Sequence, residues 1–510
     1  MSECSPEQPN SASDSSPAEL RRRPLTYRHQ LAMAVAVALL LRGRFFFAPI
    51  SPDEGGYLAI ARTWRHGATL YDDIWIDRPQ GLLTIYRVFD MFGGSHATVR
   101  VLSLIAAVMT VVGIAELVRA IANEHAGVVA AVVAAFICTA PALDGFAANG
   151  ELLGGAFGAL ALGVAARVLT ERSNRWWMVG SGALAGAALT IKQSSADGLG
   201  TLLAWLALAA IFGMLPRRKA LAHLGRCALG AAVVIGALVL HGAITGWDRW
   251  YYSMLGYRLS QRSALQNANW DRMRLTSHDV LPIIVPVMVV SALAALLLLV
   301  WRRQRSVAPS ALQLLLPIWA VLSVLMFLSG GQFFHHYWLT LTYPLAAIAG
   351  LAVGGLGVAR WRRGLTVVAV GSAAISWVSF ATLSREELWP EMTGERRPLI
   401  AERLGEWLPT VMQPGDTLFA MCTMPSLYAV ADVDPVYPYM WWDSVHNPTG
   451  AQQQMIDLFT GPTPPTWVPL VFSTRSCNPS GEVSAALDAR YHVVTEQYGI
   501  AIYHLNDDER

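Results

Sequence analysis

The sequence predicts a polytopic helical membrane protein: a bundle of about eleven spans with a small α/β domain outside the membrane. Three observations carry this. Of the residues, 54% are hydrophobic and only 15% charged, where a soluble domain carries about 25% charge. Long apolar runs alternate with short basic clusters, as in chains that cross a bilayer repeatedly. After residue 384 the long runs stop, and Pro, Trp and acidic residues take over. The net charge of +2 gives no reason to expect a nucleic-acid partner.

Residues 1–26 are polar and rich in Ser, Pro and acids, and are expected to form a disordered cytoplasmic tail without a cleavable signal peptide. The membrane region, 27–384, holds apolar runs near 29–48, 97–118, 126–143, 152–169, 176–191, 194–214, 226–245, 280–300, 311–329, 338–358 and 364–383. Basic clusters fall at Arg21–Arg23, after Arg167, at Arg217–Lys219, at Arg302–Arg305 and at Arg360–Arg363. All of them lie on one side if the N-terminus is cytoplasmic, as the positive-inside rule requires, and a miscounted span would scramble that alternation. Three regions are then external: the loop 49–96, the loop 246–279, and residues 385–510.

The last of these reads as an α/β domain. "ERRPLIAERLGEWLPTVMQPGD" has the pattern of an amphipathic helix stopped by Pro414-Gly415, and "DTLFAMC", "TWVPLVFST" and "YGIAIYHL" read as short buried strands. Cys422 and Cys477 each end a predicted strand; a disulfide and two separate buried thiols both fit. No Cys or His spacing suggests a zinc site, and no cofactor is expected, with a divalent metal left open.

The first external loop concentrates charge. "SPDEGGYLAIARTW" opens like a helix, with Ser51 as N-cap and Pro52, Asp53 and Glu54 in the first turn. Tyr57, Ile60, Ala61 and Trp64 share a helical spacing that would let the segment lie flat in the membrane interface. Asp72, Asp73, Asp77 and Arg78 follow. The aromatic and basic stretch 246–279 reads as an interfacial helix, or as a grip on a lipid phosphate through Arg258 or Arg262.

The loop resembles the first external loop of the GT-C superfamily of polytopic glycosyltransferases, and within it the bacterial relatives of protein O-mannosyltransferases and lipid A aminoarabinose transferases. Asp53, Glu54, Tyr57, Gly67, Leu70, Tyr71, Asp73, Arg78, Pro79, Leu82 and Tyr86 fill that pattern; Gln80 departs from it, standing where the family has a second proline. "DGFAANGELLGG", with Asn149 and Glu151, is similar to the family's short acidic outer loop. "ALTIKQS", with Lys192-Gln193, and "GGQFFHHYWLTLTYPLAAIAG" are similar to two further family stretches. The resemblance covers about 30–383 and is strongest in the first loop.

It implies an integral-membrane enzyme of a bacterial inner membrane. Such an enzyme moves a sugar from a polyprenyl-phosphate donor to an envelope acceptor (lipid, polysaccharide or protein) on the outer face. An acceptor hydroxyl needs a general base, and a departing lipid phosphate needs cations and hydrogen-bond donors. The catalytic set expected on this basis is Asp53 as base, with Glu54 and Glu151 shaping the acceptor pocket. Arg78, Lys192, His336 and Tyr337 are the candidates for the donor phosphate, and Tyr57, Asp73, Tyr86, Asn149 and Gln193 for further substrate contacts. Structural roles compete: Lys192 can snorkel from a span end, Arg78 can pair with Asp73 or Asp77, and Glu151 can serve a helix N-terminus. A transporter or flippase and a non-catalytic envelope scaffold are the rival classes. Convergence of Asp53, Glu151, Arg78 and Lys192 on one outer cavity separates the enzyme from both.

Overall fold

In the computed structural model, the described residues are 25–260, 269–306, 310–393 and 396–509, apart from 376, 379 and 381. Most of the expected N-terminal tail, and Arg262, lie outside them.

Each apolar run overlaps a helix, although the helices in the runs 29–48, 126–143 and 364–383 end early, at Gly43, Ile137 and Ile375. The first nine helices are α1 (Tyr27–Gly43), α2 (Pro52–Arg65), α3 (Gln80–Asp90), α4 (His96–Ile121), α5 (Glu124–Ile137), α6 (Gly150–Leu169), α7 (Trp177–Ile191), α8 (Asp197–Ile211) and α9 (Arg217–Thr245). Long helices then cover Trp270–Gln304, Leu315–Gly330, Leu339–Gly354 and Ala359–Ile375. Among the described residues, seven helices are long and apolar enough to cross a membrane, while α5 and α7 are apolar but shorter. The bundle packs through small residues: α4 meets α6 where Gly113 and Gly163 touch backbone to backbone, a close approach that suits helices in lipid.

The helices α2 and α3 connect α1 to α4. α2 starts as its sequence suggests. Ser51 Oγ accepts from the Glu54 amide at 3.1 Å and the Glu54 carboxylate accepts from the Ser51 amide at 3.0 Å, closing a capping box with Pro52 in the first turn. It does not lie on the membrane, however. From Glu54 to Thr63 it is buried on all sides, because the C-terminal region covers the face expected to meet lipid. The contact runs along Gly55 and Gly56. A β-carbon on Gly55 would stand 2.4 Å from the Ser426 backbone, and one on Gly56 would stand 2.4 Å from the Trp441 ring. Charged pairs lock the rest of the seam: Arg62 bonds Asp432 at 2.5 Å and His66 meets Asp434 at 2.7 Å. Gly55→Ala is therefore expected to destabilise the protein by about 1–3 kcal/mol, because backbone must move to admit the methyl group. Thermal unfolding of the purified variant checks this, and an unchanged midpoint would mean the seam is loose.

Beyond the bundle, residues 467–505 form a three-stranded antiparallel sheet in the order β1 (Trp467–Pro469), β3 (Ile500–Leu505), β2 (Tyr491–Gln497). Two of the expected strands are β1 and β3. The third, 416–422, runs parallel to β1: the Trp467 amide donates to the Thr417 carbonyl at 2.9 Å, and the Phe419 and Met421 amides donate to the Trp467 and Pro469 carbonyls at 2.9 and 3.0 Å. β2 escapes the sequence pattern because only Tyr491 along it is buried, leaving no apolar alternation to read. The expected helix ends at Trp407, before Pro414; Pro409, which lacks the amide the next turn would use, sits in the short turn that follows. Cys422 and Cys477 are joined by a disulfide.

Candidate active site

A cavity of about 1400 Å³ opens between the loop 51–78, the start of α6 and the end of α7, residues 329–337, and the C-terminal segments 423–426 and 441–447. That exceeds the roughly 300–1000 Å³ of an ordinary small-ligand pocket, so it has room for two reactants.

Asp53 lies on one wall, half-buried. Its carboxylate accepts from Trp441 Nε1 at 3.1 Å and from the Tyr57 hydroxyl at 3.3 Å. Tyr57 is buried, with its ring edge-on to Tyr86 at 5.5 Å. Burial, followed by the Asp53 charge, holds the Tyr57 phenol well above its ordinary range, so it serves as a fixed neutral donor.

The loop 70–78 forms the next wall. Tyr71 sits in the left-handed backbone region at φ 74°, a conformation that side chains other than glycine adopt at a cost. Its hydroxyl donates to the Arg78 carbonyl at 2.8 Å and to Gln80 at 3.2 Å. Gln80 in turn accepts from Trp250 Nε1 at 3.1 Å and donates to the Leu238 carbonyl at 2.8 Å. The residue that replaces the family proline thus ties the loop to α9 and to the short helix Trp247–Tyr251. This scaffold presents Asp77 between two guanidiniums, Arg78 at 2.7 Å and Arg258 in direct contact. Burial would raise the Asp77 carboxyl, but Arg258 and then Arg78 outweigh it and hold it below the usual carboxylate range.

The third wall is cationic. Lys192 ends α7 with its ammonium 4.1 Å above the Tyr337 ring and in contact with Glu151. His336 Nδ1 lies 3.4 Å from Asp144, and its Nε2 3.9 Å from Glu151. Arg272 stacks 4.1 Å over Phe334 and donates to Gln332 at 2.9 Å. Among the described residues, no group of three or more His, Cys, Asp or Glu side chains is placed to hold a metal ion.

Of the residues singled out from the sequence, Asp53, Tyr57, Arg78, Asn149, Lys192, Gln193, His336 and Tyr337 line this cavity. Asn149 also caps α6 by accepting from the Leu152 amide at 2.8 Å. Four others are placed differently. Glu54, expected to shape the acceptor pocket, is fully buried behind it. Its carboxylate is saturated by Arg100 at 2.6 Å and by the Ala148 and Ser51 amides. Glu151 lies beneath the wall, bound to Lys192. Tyr86 stands behind Tyr57 and donates to the Ala148 carbonyl at 2.7 Å. Asp73 is exposed on the 69–73 turn, where it accepts from the Thr69 amide at 2.7 Å. The sequence reading did not select Asp144, Arg272 or Trp441. Arg272 stood in an aromatic-basic stretch that could have flagged it. Trp441 lies in a region with no motif.

The helical bundle, the cavity at one end of it and the small sheet beyond form a fold that solved membrane proteins share. Residues 79–240 match the family described as dolichyl-phosphate-mannose-protein mannosyltransferase. Among solved structures, the chain resembles ArnT from Cupriavidus metallidurans in its apo state, at 13% identity and a TM-score of 0.62, over 94% of this chain and 99% of that one. It also resembles ArnT bound to undecaprenyl phosphate, at 14% identity and 0.61, over 95% and 99%. AglB from Archaeoglobus fulgidus, in complex with an inhibitory peptide and a dolichol-phosphate, aligns at 13% identity and 0.54, over 95% of this chain and 74% of that one. At these identities the likeness is one of fold. No curated protein sequence matches the chain.

Proposed function

We propose that the chain transfers a sugar from a polyprenyl-phosphate donor to a hydroxyl group of an envelope acceptor, on the outer face of a bacterial inner membrane. The observation that carries this reading is the division of one cavity between two kinds of wall. Asp53 is held by two neutral donors, Tyr57 and Trp441. Asp77 is neutralised by two guanidiniums and is a poor base. Arg78, Arg258, Lys192, Arg272 and His336 line other parts of the same cavity.

In the proposed step the acceptor oxygen attacks the anomeric carbon. The bond from that carbon to the phosphate oxygen breaks, and its electron pair leaves on the polyprenyl phosphate. Asp53 takes the acceptor's proton. The cations stabilise the charge that grows on the phosphate. Asp144 Oδ1, buried in the cavity wall without a hydrogen-bond partner among the described residues, is placed to accept from a sugar hydroxyl. The lipid phosphates bound to ArnT and AglB support a lipid-linked donor. A transporter or a scaffold gives no reason for the base and the cations to share one outer cavity. The outward orientation rests on the basic clusters and a cytoplasmic N-terminus.

The test is to incubate membranes carrying the chain with a panel of radiolabelled polyprenyl-phosphate sugars. Label should pass into envelope material, and failure with every donor would reject the reading. Arg78→Ala should weaken undecaprenyl-phosphate binding about tenfold, since it removes a cation and leaves Asp77 less neutralised beside an anionic ligand. Titration of the purified variant checks this, and wild-type affinity would remove Arg78 from the donor site.

A further inference from the structure

The cavity has a fourth wall that the chemistry above does not use. It is supplied by the C-terminal region and is aromatic. Trp442 is exposed into the cavity, its ring 5.3 Å from Phe472 and 4.4 Å from His446. Asp443 and Asn447, also exposed and also lining the cavity, stand on the same short helix and the residue that ends it. The Arg397 guanidinium also lies by Phe472, 5.8 Å from its ring centre.

This shelf is braced. His446 contacts the Trp442 carbonyl at 2.8 Å and the Ser476 carbonyl at 3.0 Å. Gln452 donates to the Val445 and Cys477 carbonyls, both at 3.0 Å. The Cys422–Cys477 disulfide joins the segment that carries Phe472 to the one that carries Thr423 and Met424, which also line the cavity. The shelf also adjoins Asp53: Trp441, which holds the carboxylate, is the residue before Trp442, so their Cα atoms are about 3.8 Å apart.

A flat, fixed aromatic face flanked by a carboxylate and a carboxamide suits one chemical class well. A pyranose ring offers C–H groups on its faces and hydroxyls on its rim, so it can stack on an indole while an Asp and an Asn bond its edge. A tryptophan that only anchors the protein in the bilayer interface would face lipid. This one faces the reaction cavity.

We infer that the shelf of Trp442, Phe472, Asp443 and Asn447 is the acceptor subsite and that the acceptor is a saccharide, whose stacked ring brings a hydroxyl to Asp53. This rests on the proposed transferase reading and adds the acceptor's class to it.

The test is a titration of the full-length protein in nanodiscs, without donor lipid, by saturation-transfer NMR. The probes are cellobiose, lactose and N,N′-diacetylchitobiose, with a short Ser/Thr-rich peptide for comparison. At least one disaccharide should bind. Trp442→Ala should weaken it about tenfold or more, and Trp442→Phe should keep most of the affinity. The Trp442 side chain is exposed, so folding should survive its replacement, and equal unfolding midpoints verify it. Asp443→Ala gives a second, independent loss through the rim hydroxyls. Absence of saccharide binding, with or without peptide binding, overturns the inference, as does wild-type affinity in folded Trp442→Ala. Because no donor is present, failed sugar transfer with intact disaccharide binding would count against the donor reading alone.

Discussion

Asp53→Asn is expected to lower turnover about 10²–10⁴-fold, the usual contribution of a positioned general base, with protein yield and undecaprenyl-phosphate affinity near normal. The geometry makes this substitution unusually clean. Trp441 Nε1 can only donate, so the new amide oxygen takes its place opposite the indole; the amide nitrogen then faces the Tyr57 hydroxyl, which can turn and accept. Both contacts survive, and only the capacity to take up a proton is lost. Nor does Asp53 cap α2, since Ser51 and Glu54 close the capping box between them. A capping role would instead lower yield while leaving activity per folded molecule intact. Measuring turnover and yield together separates the two outcomes, and normal turnover in well-folded protein ends the catalytic assignment.

Arg100→Ala is expected to destabilise the protein by about 3–5 kcal/mol, because it leaves the Glu54 carboxylate buried without its counter-charge. Both side chains are almost fully inaccessible, and the Arg100 guanidinium also donates to the Ala48 and Pro49 carbonyls at 3.2 and 2.9 Å. One residue thus pins the end of α1's connector, the start of α2 and, through Glu54 and the Ala148 amide, the approach to α6. Glu54→Ala should be comparably damaging. The double variant should lose far less than the sum of the two, since neither charge is then stranded. Denaturant or thermal unfolding of the four proteins reads this directly. Strictly additive losses would show that the pair is not coupled and that Glu54 acts through something else.

The contrast between Asp53 and Glu54 shows how far a sequence can be read. Apolar runs announce themselves, because a helix in lipid needs only local composition, and the S-P-D-E start of α2 is equally local. Two adjacent acids on one turn point about 100° apart, and nothing nearby says which one faces the cavity. That is decided by Arg100, 46 positions away, and by the Ala148 amide, 94 positions away, which claim Glu54 and leave Asp53 outward. Lys192 and Arg78 stood out by type and place. Their partners, Glu151 and Asp77, turn out to be part of how they are held. The reading of α2 as an interfacial helix failed for a related reason: its apolar face does seek an apolar surface, but the surface is the helix Pro425–Ala431 and Trp441, supplied from the far end of the chain.

The indole that steadies Asp53 is joined to the chain 388 positions later. A ribosome therefore releases the carboxylate's first-loop neighbourhood long before it makes the residue that fixes its direction, and in the proposed topology that residue reaches Asp53 only after the last span has been inserted and the C-terminal region exported. A nascent or truncated chain holds the cationic wall and the carboxylate but lacks the support that aligns them. On the proposed reading the site is therefore completed last: its base gains a fixed direction only once the far end of the chain has been made.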